Sequence, residues 1–109
     1  MSGYFHLKRS GAQYLFNLKA GNHEPILTSQ RYDSKASAQG GILSVQQNAG
    51  IDERYKRQTA KNGSPYFTLT AGNGQVIGTS EMYSSASARD NGIASVKANA
   101  PSAQIRDES

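Results

Sequence analysis

An α+β fold built from two tandem copies of one unit, each copy a set of short strands followed by a helix, is what this sequence predicts. Three observations lead there. First, residues 16–49 laid over residues 67–100, a shift of 51, agree at 16 of 34 positions without a gap, the signature of a duplicated structural unit. Second, within each copy an alternating apolar pattern gives way at the same place to a spacing of three and four, the change from a strand to a helix period. Third, 109 residues suffice for one modest core and are too few for two, so each copy must complete the other. Low charge (18%) with many Gly, Ser, Thr and Asn residues suits short strands and tight turns.

The elements follow in order. Residues 4–8 alternate, which places Phe5 and Leu7 on one face of a strand and Tyr4, His6 and Lys8 on the other. Ser10-Gly11-Ala12 turns the chain into a second strand, residues 14–20, with Phe16, Leu18 and Ala20 inward. Gly21-Asn22, repeated as Gly72-Asn73-Gly74, supplies residues that tolerate positive φ, so another tight turn follows in each copy. Third strands cover residues 25–30 and 76–81, with Ile26 and Ile77 as matched core residues. Pro25 has no ladder donor, which suits an edge or the first residue of a strand.

Asp33 or Ser34, and Ser84 or Ser85, are good helix N-caps. The helices carry apolar stripes of Ala38, Ile42, Val45 and Ala49, and of Ala88 or Arg89, Ile93, Val96 and Ala100. Asn48 and Asn99 suit a left-handed stop, and Pro101 enforces the second ending. Gly41 and Gly92 occupy equivalent places inside the helices. An interior glycine costs about 1 kcal/mol relative to alanine, so close packing against a neighbour is expected there. The connector, residues 51–60, reads as one continuous strand that ends copy one and starts copy two, with Tyr55 in the place of Phe5 and Arg57 in that of Leu7. Residues 106–109 are expected to fray. Residues 1–109 thus read as a single domain, with one repeat at about 3–54 and the other at about 53–107.

Composition narrows the function classes. Without cysteine there is no disulfide framework, thiolate metal site or cysteine nucleophile. The N-terminus has no basic region leading into an apolar run, and nowhere do 18 apolar residues follow one another, so a cytoplasmic protein off the membrane is expected. Net charge is +4 and uneven: residues 1–63 carry +5 and residues 64–109 carry −1. Such an excess can steer anionic partners or serve solubility.

The "LKAGN" and "GIASVKANA" blocks, the Thr-Ser near the end of the third strand and the doubled arrangement resemble the YegP-like family of small bacterial proteins of unknown function, over residues 3–107. Copy one departs with "GILSVQQNA", and Gly78 stands where copy one has Leu27. The resemblance implies two β-β-β-α-β units in a single antiparallel sheet, each terminal strand exchanged across a pseudo-twofold, a pseudo-dimer in one chain. The resemblance brings no catalytic residues; a monomer is expected because the tandem repeat supplies its own partner.

A catalytic constellation is not legible. His6 and His23 have no counterpart in the other copy, and no Ser/His/Asp or paired-carboxylate pattern accompanies them. Two histidines and scattered carboxylates do not make a metal site, and "AGNGQVIG" links two strands, so it is a turn and not a phosphate cradle. No cofactor is expected. If both helices cover one face of the sheet, the other stays open to water. By strand parity that face shows Tyr4, His6, Lys8, Leu15, Asn17, Lys19, Lys56, Tyr66, Thr68 and Thr70. The reading is a noncatalytic binding or interaction module using this face. Tyrosines among lysines also fit a single-stranded nucleic-acid binder, though such residues equally form good half-exposed strands. An enzyme acting through Lys19 or His6 is the third reading.

Overall fold

Alternation in the strands and a 3.6-residue period in the helices put the same aromatic pile into both copies. Phe5 meets Phe16 edge to face, with ring centroids 5.8 Å apart, and Phe16 stacks on Tyr32. Tyr55, Phe67 and Tyr83 repeat the arrangement. The computed structural model describes residues 3–109. Its strands are β1 (Tyr4–Ser10), β2 (Gln13–Lys19), β3 (Pro25–Thr28), β4 (Tyr55–Thr59), β5 (Pro65–Thr70), β6 (Val76–Thr79) and β7 (Gln104–Glu108); its helices are α1 (Lys35–Asn48) and α2 (Ala86–Asn99).

The strands form one seven-stranded sheet in the order β4-β5-β6-β3-β2-β1-β7. At its centre β3 and β6 meet antiparallel with Thr28 opposite Thr79, the same position in the two copies. A pseudo-twofold axis therefore passes between those threonines. Both helices pack on the face that carries Phe16 and Phe67, and Phe5, Leu7, Phe16, Leu18, Phe67 and Leu69 are fully buried beneath them. Burying a side chain of this size contributes about 1.5–3 kcal/mol.

The helix signals act as their chemistry requires. Ser34 and Ser85 cap the helices, their hydroxyls accepting from Ser37 N at 3.1 Å and Ala88 N at 3.0 Å. Ala38, Ile42, Val45 and Ala49 are buried, as are Ile93, Val96 and Ala100, while Arg89 takes the place of Ala38 and lays its guanidinium on Asp90. Gly41 and Gly92 lie directly under the tyrosine rings. A Cβ on Gly41 would sit 2.8 Å from Tyr32 Cζ, and one on Gly92 2.6 Å from Tyr83 Cζ.

Several expectations change. The sheet is mixed, because β7 runs parallel to β1. Strand exchange goes one way: β7 crosses from the second copy to the first, but residues 51–54 form a 3₁₀ turn over Asp52–Arg54, not a strand. The reason is connectivity. The chain that follows α1 must at once become β4, the partner of β5, so it cannot also supply a separate terminal strand. Residues 106–109 do not fray as a unit, since β7 extends to Glu108 with Lys35 bound to Asp107. Neither Asn48 nor Asn99 takes a left-handed stop. Each stays helical and turns its amide back to a serine carbonyl, Ser44 or Ser95, at 2.8 Å. Their side-chain oxygens then accept from Arg54 Nε and from Gly3 N, tying each helix end to a neighbouring segment. Positive φ falls on His23 (69°) and its equivalent Gly74 (87°), one position beyond Asn22 and Asn73.

Candidate functional site: the helix-free face of the sheet

Strand pairing decides which side chains share the bare face. Opposed residues point to the same side, so His6 with Asn17 (β1/β2), Asn17 with Thr28 (β2/β3), Lys56 with Thr68 and Gln58 with Tyr66 (β4/β5), and Thr68 with Thr79 (β5/β6) all lie opposite the helices. Tyr4, Lys8 and Lys19 join them by register. On β4, Tyr55 and Arg57 turn to the helix side and Lys56 and Gln58 to the bare side.

The predicted residues share one face but are unequally available. Tyr4 is only 7% exposed. Its hydroxyl lies 2.9 Å from His23 Nδ1, and the Arg106 guanidinium covers its ring at 4.1 Å. Asn17 is buried and donates to Thr28 Oγ1 at 2.8 Å. Thr68 accepts from Gln58 Nε2 at 3.1 Å, and Thr70 donates to the Arg54 carbonyl at 2.9 Å, so both are buried and bound to neighbouring residues. His6 holds Glu108 at 2.7 Å through Nε2, while its Nδ1 is buried without a partner. Lys8, Lys19 and Tyr66 are half-buried and Lys56 is exposed. Tyr66 donates to Gln58 Oε1 at 3.1 Å.

Residue-by-residue parity did not include Arg106, Glu108 or Thr28 in this face. Arg106 and Glu108 reach it because β7 pairs with β1 in parallel, with His6 opposite Arg106 and Lys8 opposite Glu108. The resulting surface carries Lys8, Lys19, Lys56 and Arg106 against the Glu108 carboxylate. Among the described residues no three His, Asp or Glu side chains lie close enough together to hold a metal ion, and no helix is long and apolar enough to cross a membrane.

The duplicated geometry agrees with what the chain resembles. The family model described as "Domain of unknown function (DUF1508)" matches it twice, at residues 10–55 and 60–107. The chain belongs to this family. A UPF0339 protein of Bordetella pertussis is 71% identical over 108 residues, covering 99% of this chain and 97% of the relative. The UPF0339 protein YegP of Escherichia coli O157:H7 is 55% identical, covering 98% of each. The solution NMR structure of a UPF0339 protein from Shewanella oneidensis superposes with a TM-score of 0.92 at 54% identity, covering 98% of this chain and 92% of the other. That of yegP from E. coli, titled a protein of unknown function, gives 0.92 at 53% identity, covering 99% and 94%. The DUF1508 fold seen here, with its two repeats sharing one sheet, is thus that of its solved relatives.

Proposed function

We propose that this DUF1508 protein is a noncatalytic binding module that uses the helix-free sheet face to hold an anionic, hydrogen-bonding partner, acting as a monomer in the cytoplasm. One observation carries the reading: Lys8, Lys19, Lys56 and Arg106 share that face with Glu108, while both helices occupy the other side. Cations spread over a flat polar surface attract anions at long range and exchange counterions on binding. Exposed Thr28 supplies a hydrogen-bonding hydroxyl at its centre. The noncatalytic reading is supported by His6, whose Nε2 is bound to Glu108 and whose Nδ1 is buried, so neither ring nitrogen is open to a substrate on this face.

A single-stranded oligonucleotide is the second reading, favoured by the same four cations and by Tyr66, whose ring is partly exposed. Stacking capacity is reduced by Arg106 lying on Tyr4. Chemical-shift mapping against short oligonucleotides, peptides and a mixture of anionic metabolites tests both. The expected result is perturbation of Lys19, Lys56 and Tyr66 that weakens as salt rises and is lost in Lys8→Glu, Lys19→Glu and Lys56→Glu. Silence of this face toward every probe at low salt defeats the proposal.

A further inference from the structure

We propose that the outer edge of β4 is a docking slot for an extended acidic segment of a partner chain, which pairs parallel to β4 as β7 pairs to β1. The two ends of the sheet are equivalent under the pseudo-twofold, yet only one is covered. At the β1 end, β7 adds a parallel strand, and its carboxylates find fixed partners: Asp107 binds Lys35 of α1, and Glu108 binds His6. At the β4 end no strand follows among the described residues. The segment that symmetry assigns to that place, residues 53–57, is the end of the 3₁₀ turn and the start of β4 itself. Connectivity has left a strand position that this chain cannot fill in cis.

Register gives the chemistry of the missing strand. His6 pairs with Asn17 and Leu7 with Phe16, whereas Lys56 pairs with Thr68 and Arg57 with Phe67, so Lys56 stands where His6 stands and Arg57 where Leu7 stands. A carboxylate placed as Glu108, which stands opposite Lys8 and reaches diagonally to His6, would stand opposite Gln58 and reach Lys56. One placed as Asp107 lies beside Arg57, whose present partner Asp90 is half-exposed and shared with Arg89. Main-chain pairing to the exposed edge would supply affinity, and the alternating carboxylates selectivity. A second copy of this chain is disfavoured as the occupant. Antiparallel β4 against β4 brings the Lys56-Arg57 pairs of two molecules together, and like charges facing across strands are destabilising. Lysine on an edge strand guards against such self-pairing, and an acidic strand turns the same charges into an attraction.

The test uses the full chain and three capped hexapeptides: Glu-Ile-Glu-Asp-Glu-Val, its counterpart with lysine at every acidic position, and the acidic peptide N-methylated at alternate residues. The acidic peptide is expected to shift and protect the backbone amides of residues 55–59 at low salt, and the other two are not. Arg57→Glu should weaken binding by about tenfold or more, as removal of a complementary charge does, with Arg57→Gln as a milder variant should the first fail to fold. Arg31→Glu, an equal charge reversal beside Ser10 and away from this edge, should leave it within about twofold. The place of the shifts, at residues 55–59 or at Lys19 and Tyr66, separates failure of the edge from failure of the face. No response at residues 55–59, equal binding of the N-methylated peptide, transfer of the shifts to Lys19 and Tyr66, or a β4-mediated dimer without peptide would each overturn the proposal.

Discussion

Leu27 lies against the backbone of Gly78, its own counterpart across the pseudo-twofold: a Cβ on Gly78 would stand 2.6 Å from both Leu27 Cγ and Cδ2. The centre of the sheet has room beneath the helices for one leucine where the duplication calls for two. Leu27 fills it and is 1% exposed. The copies have therefore diverged into complementary halves, one supplying the side chain and the other the space.

Exchange of the two residues tests this directly. Gly78→Leu should destabilise by about 1–3 kcal/mol through overpacking, and Leu27→Gly by at least the 2–5 kcal/mol typical of a large-to-small core change. The double variant should recover most of the loss, since it moves the side chain to the other side of the axis. Urea unfolding of the four proteins measures the coupling, and a double variant no better than the sum of the singles would refute the wedge.

Ile42 and Ile93 sit at equivalent places and are almost equally buried, at 1% and 2%. Truncation of each to alanine is expected to cost about 2–4 kcal/mol, with similar values for the two. Strongly unequal unfolding midpoints would show that the helices do not bury their stripes alike.

The glycine beneath each tyrosine ring gives a third expectation. Alanine normally gains about 1 kcal/mol over glycine inside a helix, yet Gly92→Ala should destabilise because the new methyl meets Tyr83. Tyr83→Phe alone should be close to neutral, since that hydroxyl is buried with no hydrogen-bond partner and its loss removes a desolvation penalty. Burial also pushes the Tyr83 hydroxyl above its usual value. A large cost for Tyr83→Phe in thermal unfolding would reveal a hydrogen bond this packing does not contain.

Acid should release β7 first. Hydrogen bonds from Lys35 and from Ser109 lower the Asp107 carboxyl to about 2, from an ordinary 3.8. The unfolded chain therefore takes up this proton more readily than the folded one. The Asp107 contribution is complete above about pH 4, falls as the pH drops, and is gone below about 2. Amide protection factors at residues 104–108 are expected to fall over that window before those in β2 and β5 do. In Lys35→Gln that fall should be smaller, since the Asp107 carboxyl then titrates nearer its ordinary value, with β7 less protected already at neutral pH. Simultaneous loss of protection across the whole sheet would contradict a separately held β7.

Much of this protein was legible because the informative signals are local. Phe5 and Leu7 alternate with His6 within one strand, the serine caps precede their helices by one residue, and the 51-residue offset repeats both. The serines that close each copy were less visible. Ser29 accepts from Phe16 N and donates to the Gln30 carbonyl, and Ser80 does the same with Phe67 and Glu81. They appeared in the sequence only as a repeated Thr-Ser pair. At the candidate site, parity grouped Tyr4, Lys19 and Tyr66 on one face, but it could not show that Arg106 covers Tyr4 or that Asn17 is spent on Thr28.

The sequence alone determined the strand and helix periods, the inward faces and the doubling, because each follows from backbone geometry repeated over a few neighbouring residues. Tertiary structure decided that β7 lies parallel to β1, that residues 51–54 turn and leave β4 as an open edge, and that Leu27 excludes a second leucine at Gly78. Those outcomes depend on which distant segments compete for one position in space. A strand pattern states that a segment can pair and which of its faces is apolar, and it carries no information about which partner reaches it first.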